Sequence, residues 1–387
     1  MFDFKQAIAQ DKAFADSVWE KLDKKLQVMA VRSREKLPYT TENGEHINSY
    51  LRGICSWTNG FWPGMMWLLY YGTKNETYRT TAERSEELLD EGLKEYEGLH
   101  HDVGFMWQLS AVADYKITGN KASRIRALHA ANLLMARYNI RGGFIRAWND
   151  WDEKCEQRGW TIIDCMMNLS LLYWASEEVN DPRYKYVAMA HADKAMEHHI
   201  RPDGSVRHIV SFNPENGEFI EALGGQGYDA NSSWSRGQAW ALYGYAISYM
   251  KTGKTAYLDT AKRVAHYFIS CVSNDYMPRS DFRAPKEPVI YDSSAGAIAA
   301  CGLLELARLV PANEGAFYYD AAVKLLKVID ENWCNYTLEE DSILQMCTSS
   351  WTQEGLAHRW AHKPLIFGEY YFVEAIYKLK GFDLLFE

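Results

Sequence analysis

Thr252-Gly-Lys-Thr-Ala-Tyr-Leu-Asp-Thr-Ala-Lys-Arg-Val-Ala-His-Tyr-Phe268 is the stretch on which the fold turns. It opens with a short polar turn carrying a glycine. Ala261, Val264, Ala265 and Phe268 then fall at i, i+3, i+4 and i+7, the spacing of one helix face. The same unit returns at Gly72–Leu89, Thr118–Tyr138, Asn180–Met196 and Pro311–Ile329, with a truncated sixth copy at Leu379–Glu387. Repetition of this kind marks a fold built from stacked supersecondary units.

A second kind of helix alternates with the first. It follows loops rich in Gly, Pro or Asn, at Trp57–Trp67, Asp102–Tyr115, Thr161–Trp174, Ser235–Ile247, Asp292–Ala307 and Gly368–Leu379. These segments are more apolar all round, as an inner layer wrapped by an outer one must be. Six inner and six outer helices predict an all-α (α/α)6 barrel, with residues 1–387 forming a single domain. Strand-like alternation is confined to short hairpins in the loops, with no βαβ rhythm. Trp57, Asp102, Asp164, Arg236 and Asp292 each lie near the start of a different inner helix, so the converging helices should turn them toward one pocket.

Composition narrows the partners. A chain of 387 residues, 47% hydrophobic and 24% charged, can bury a large core. Its formal net charge of −9 argues against nucleic acid or an anionic membrane surface. There is no apolar run of membrane-spanning length, and the start Met1–Leu22 lacks the basic and apolar regions of a signal peptide, so a cytoplasmic protein is expected. The seven cysteines form no C-x-x-C pair, and their odd number rules out a complete disulfide framework; reduced thiols are expected. The 14 Trp, 25 Tyr and 15 Phe favour a carbohydrate ligand, because a pyranose ring offers an apolar C–H face to an aromatic plane.

Two segments carry the candidate chemistry: His100-His101-Asp102-Val103-Gly104-Phe105-Met106-Trp107 and Gly159-Trp160-Thr161-Ile162-Ile163-Asp164-Cys165-Met166-Met167-Asn168. Each sets one aspartate in an apolar surround at the start of a helix. Desolvation there disfavours the charged carboxylate and raises its pKa toward the range of acid/base catalysis. The plainer reading is a helix cap, which Asp102 suits better than Asp164, flanked as Asp164 is by Ile162, Ile163, Cys165 and Met166. Arg236 lies among small residues between Trp234 and Trp240; its fork suits a carboxylate of the ligand or, alternatively, a structural acid. Trp57, Trp148 and Trp240 read equally as core or as sugar platforms, and His101 and His208 as pocket donors. Asp150 and Asp292 read as structural. His358 and His362 stand four apart but lack the third ligand and the glutamate of a zinc helix, and His198-His199 reads as a helix end, so no metal and no cofactor is expected.

Taken together, HHDVGFMW, GWTIIDCMMNL, the stretch from VRHIVSF to QGYDANSSWSRGQAWALYG, and KPLIFGEYYFVEA resemble the bacterial unsaturated glucuronyl hydrolases over about Trp57–Tyr377. That family has an (α/α)6 barrel. It removes the 4,5-unsaturated uronic acid from the non-reducing end of oligosaccharides left by polysaccharide lyases. The resemblance implies Asp164 as the acid/base residue and Asp102 as the second carboxylate. It also implies substrate contacts from His101, His208, Gln226, Arg236 and Trp240, with Trp57 and Trp148 as aromatic walls. One departure is Glu221–Gly225, where many members carry a threonine.

The chemistry so implied is hydration of a vinyl ether. Protonation at C4 gives oxocarbenium character at C5, water adds there, and the hemiketal opens to expel the aglycone. No metal is required. The runner-up is the unsaturated rhamnogalacturonyl hydrolase, with the same barrel and a pectin-derived substrate. An epimerase-like sugar isomerase would use histidine bases, and a sugar-binding protein without catalysis is the plainest alternative. The partner is expected to be an unsaturated oligosaccharide, the protein a monomer or weak homo-oligomer, and sulfate selectivity to lie in the loop 349–363.

Overall fold

Burial follows the two periodicities. In the outer helix Thr255–Val272 the buried residues are Tyr257, Thr260, Ala261, Val264, Ala265, Phe268, Ile269 and Val272, one face at helical spacing. Its partner, Ser235–Thr252, is buried without a break from Ser235 to Ser248. The computed structural model describes residues 2–150, 157–353 and 360–382. Within them α1 (Phe4–Gln10) and α2 (Lys12–Arg32) lead. They are followed by α3 (Phe61–Thr73) with α4 (Glu76–Glu95), α5 (Val103–Trp107) and α6 (Ala113–Thr118) with α7 (Lys121–Ala136), and α8 (Cys165–Glu178) with α9 (Pro182–His198). Then come α10 (Ser235–Thr252) with α11 (Thr255–Val272), α12 (Ser293–Leu309) with α13 (Ala312–Trp333), and α14 (Ile366–Leu379). A π-helical turn at Gln108–Val112 joins α5 to α6 into one inner rod.

The inner helices α3, α5–α6, α8, α10, α12 and α14 pack side by side in a closed ring, each backed by an outer helix. This is the (α/α)6 barrel. The polar turns between layers work as caps: Asn75, Asn120 and Asp181 each accept the backbone N–H two residues on and start α4, α7 and α9. Such a cap contributes about 1 kcal/mol. The sixth outer helix is a correction to the sequence reading. It is α2 that packs on α14 and α4, presenting Ala15, Val18, Trp19, Leu22, Leu26 and Met29 inward. After α14 the chain turns at Lys380–Gly381, and Phe382 packs on Trp19; Asp383–Glu387 lie outside the described residues. No described helix is long and apolar enough to cross a membrane.

The strands are antiparallel and lie in the loops. Hairpins β1–β2 (Pro38–Glu42, Glu45–Asn48) and β3–β4 (Tyr138–Asn139, Phe144–Ile145) stand apart from a three-stranded sheet of β5 (Trp160–Ile162), β6 (Ile209–Phe212) and β7 (Phe219–Leu223), in the order β5-β6-β7. Its register sets Ile162 opposite Ile209, and the Ile163 N–H donates to the His208 carbonyl at 3.1 Å. That pairing brings the start of α8 beside His208.

Candidate active site

Asp102 and Asp164 are the N-terminal flanking residues of α5 and α8, yet neither side chain caps its helix. Both are buried, at 5% and 9% exposure, so the cap reading fails and the carboxylates are held for something else. Asn168, one turn along α8 from Asp164, braces the pair. Its amide donates to Asp102 Oδ1 at 2.9 Å and to the Asp164 carbonyl at 3.3 Å, while its Oδ1 accepts the Phe105 N–H at 2.8 Å. This cross-link needs close helices: a Cβ on Gly104 would stand 2.5 Å from the Asn168 Cα.

Burial, then the charge of Asp164, push the Asp102 carboxyl well above the usual carboxylate range, against the opposing Asn168 hydrogen bond. Asp164 Oδ2 is buried with no hydrogen-bond partner, and His208 Nε2 faces it at 3.5 Å. His208 is oriented through its other nitrogen, since the Gln226 N–H donates to Nδ1 at 2.9 Å. Gly225 makes that approach possible: its φ is +60°, and a Cβ there would come within 2.1 Å of His208 Nδ1. His100 and His101 stand 3.4 Å from the two Asp102 oxygens, and both ring nitrogens of His101 lack partners. Burial lowers both imidazoles, His100 to about 4 and His101 well below its ordinary value, so they are neutral. His100, His101 and Asp102 are also the one group among the described residues whose ligand atoms lie close enough together, within 4.8 Å, to hold a metal ion.

From Asp164 a continuous stack crosses the barrel mouth. His208 lies 4.3 Å from the Trp234 ring, the Arg236 guanidinium sits 4.3 Å from Trp234 and 4.9 Å from Phe367, and Phe367 stacks on half-buried Trp57 at 5.1 Å. Trp148, also half-buried, packs on Trp160 beside Ala147, whose carbonyl accepts the His101 N–H. Units far apart in sequence therefore meet at one end of the barrel.

Two residues sit differently from expectation. Trp240 has no exposed surface; it packs on Phe105 and Tyr371 and backs the site from the core, while Phe367 takes the place beside Arg236. The Arg236 fork is engaged by fully buried Asp292 at 2.7 Å and by the carbonyls of Thr348 and Ser349, which is the structural-acid alternative. Gln226 Nε2 donates to the same Ser349 carbonyl at 3.0 Å. Arg236 and Gln226 thus tie the 348–353 loop to the site. His362 Nε2 accepts the Tyr291 N–H, and His358 lies outside the described residues, as do 354–359 of the loop 349–363. Sequence reasoning missed Asn168, Trp234 and Phe367; Asn168 stood in a quoted motif, at i+4 from Asp164, but only the helix-to-helix approach shows its use.

A family model described as Glycosyl Hydrolase Family 88 matches residues 29–278. The unsaturated glucuronyl hydrolase of Bacillus sp. (strain GL1) is 38% identical over 355 residues, covering 89% of this chain and 91% of that protein. The unsaturated chondroitin disaccharide hydrolase of Streptococcus pyogenes serotype M1 is 33% identical over 337 residues, 83% of this chain and 80% of that protein. A crystal structure of the unsaturated glucuronyl hydrolase from Bacillus sp. GL1, responsible for the degradation of glycosaminoglycan, superposes with a TM-score of 0.87 at 35% identity, over 94% of this chain and 97% of that one.

Proposed function

The chain belongs to glycosyl hydrolase family 88 and is a glycosidase, and from that premise we propose how its residues release a 4,5-unsaturated glucuronic acid from the non-reducing end of an oligosaccharide. Asp164 is the acid/base residue. The observation that carries this is its Oδ2, buried and unengaged beside a second carboxyl whose Oδ1 is held by Asn168. Burial and the Asp164 charge raise the Asp102 carboxyl, and Asp164 is the member of the pair whose unengaged oxygen is placed to pass on a proton.

Asp164 gives that proton to C4 of the vinyl ether, and the positive charge develops at C5, conjugated to the ring oxygen. Water, its proton taken by the Asp164 carboxylate, adds at C5. The resulting hemiketal opens and releases the aglycone, so the C1–oxygen bond is not attacked directly. Asp102, His208 and the neutral His101 hold the sugar hydroxyls, and Trp57 and Trp148 bound the ring faces. Arg236 and Gln226 act through the Ser349 carbonyl by fixing the 348–353 loop.

The test is a panel of lyase-generated unsaturated disaccharides, followed by loss of the conjugated double-bond absorbance. Turnover is expected there, and none on the matching saturated glucuronides, which have no double bond to protonate. Cleavage of saturated glucuronides at a comparable rate would overturn the hydration mechanism.

A further inference from the structure

Behind the start of α5, with His100 on its wall, a cavity of about 570 Å³ opens between α7, the β3–β4 hairpin and the turn after α4. In a chain of net charge −9 it is lined by three arginines, Arg137, Arg146 and Arg158, of which Arg146 pairs with exposed Asp150 at 3.0 Å, and by the exposed glutamates Glu97 and Glu215. Half-buried Arg137 donates to the Arg146 and Ala147 carbonyls and to Asn149 Oδ1, three neutral acceptors, and forms no ion pair with a described carboxylate. Burial and then the like charge of Arg146 bring it down to about 10. An anion entering the cavity would meet a guanidinium that, among the described residues, is held in place by neutral acceptors.

Tyr96 stands at the same opening and lines a second, adjoining hollow of about 470 Å³ along α7. Its backbone is at φ 56°, ψ −54°, and the Glu97 N–H donates to the Glu95 carbonyl across it. That is a γ-turn of the positive-φ kind, rare and strained for any residue with a side chain. Tyr96 as a whole is 59% exposed.

We propose that this cavity is a second carbohydrate site, which binds an anionic sugar unit bearing sulfate or carboxylate: the arginines hold the acid group and Tyr96 covers the apolar face of the ring. The choice of an acidic sugar rests on the glycosidase reading above. The site would hold a longer acidic chain near the barrel mouth.

The probe is a saturated, sulfated chondroitin tetrasaccharide, titrated calorimetrically. It lacks the vinyl ether and is not a substrate, so its binding is read independently of whether the enzyme reading holds. Tyr96→Ala and Arg158→Ala together are expected to weaken the probe more than tenfold and leave kcat/KM on an unsaturated disaccharide within twofold. Trp57→Ala, at the barrel mouth, is expected to leave probe affinity unchanged. Tyr96→Gly should raise the melting temperature while losing the probe, which a merely structural tyrosine would not do. Probe affinity unchanged in the double variant, lost in Trp57→Ala, or matched by a neutral tetrasaccharide or by inorganic sulfate alone, would overturn the proposal.

Discussion

At the scale of single residues the account rests on two buried carboxyls in unequal surroundings. Asp102 is pushed up, first by burial and then by Asp164. A carboxyl raised in the folded state stabilises the fold below its unfolded value, about 3.9, and that stability is lost as pH rises through the folded value. Asp102→Asn removes this loss and still accepts the Asn168 hydrogen bond. Its melting temperature relative to the parent is therefore expected to be more favourable at pH 8 than at pH 4, as thermal denaturation at the two pH values would read. Activity of the same variant should be severely reduced. A stability difference independent of pH would contradict the assigned burial. The sequence exposed Asp164 because a charged residue among Ile, Cys and Met is out of place, whereas Asp102 also read as a helix cap; it could not expose Asn168, whose role depends on how closely α5 approaches α8.

At the scale of elements, strand register and loop ties place the polar groups. The β5–β6 pairing sets His208 by Asp164, and Gly225 leaves room for the imidazole. Gly225→Ala is expected to lower kcat at least tenfold in the folded protein, together with a loss of stability from the strained backbone, measured by kinetics alongside denaturation. Unchanged kinetics would remove His208 from the site. Arg236 behaves oppositely. Removing it strands Asp292, fully buried, without its cation, and breaking a buried pair this way costs about 3–5 kcal/mol. Arg236→Ala should accordingly show a large drop in denaturation midpoint as well as a raised KM from the loosened 348–353 loop; an unchanged midpoint would refute the structural pairing. From sequence, an arginine near tryptophans fits a ligand carboxylate and an internal acid equally well. The deciding contacts, to Asp292 and the Thr348 and Ser349 carbonyls, come from segments more than fifty residues away.

At the scale of the whole molecule the ring explains why helical period alone recovered the architecture. Each unit buries one stripe against the next, so five outer helices announced themselves through the same spacing as Ala261, Val264, Ala265 and Phe268. The sixth did not, because a closed ring can be completed from either end of the chain, and no local pattern says which. The stripe of Val18, Leu22, Leu26 and Met29 was present in α2, but only its contact with α14 identifies it as the closing element. A chain lacking residues 1–33 would expose the buried faces of α14 and α4 and is expected to lose cooperative unfolding; a sharp transition retained in that truncation would contradict the role given to α2. What the ring achieves is to gather helix starts from separate units around one carboxyl pair. The most direct test of that claim is the kcat of Asp164→Asn on an unsaturated disaccharide, with circular dichroism confirming the fold. Proton transfer by a positioned acid contributes about 10²–10⁴-fold, and a residue serving both proton steps should lie toward the upper end. The account predicts turnover lowered by at least about a hundredfold in a folded protein, whereas a folded variant retaining more than about a tenth of the parent kcat would contradict it.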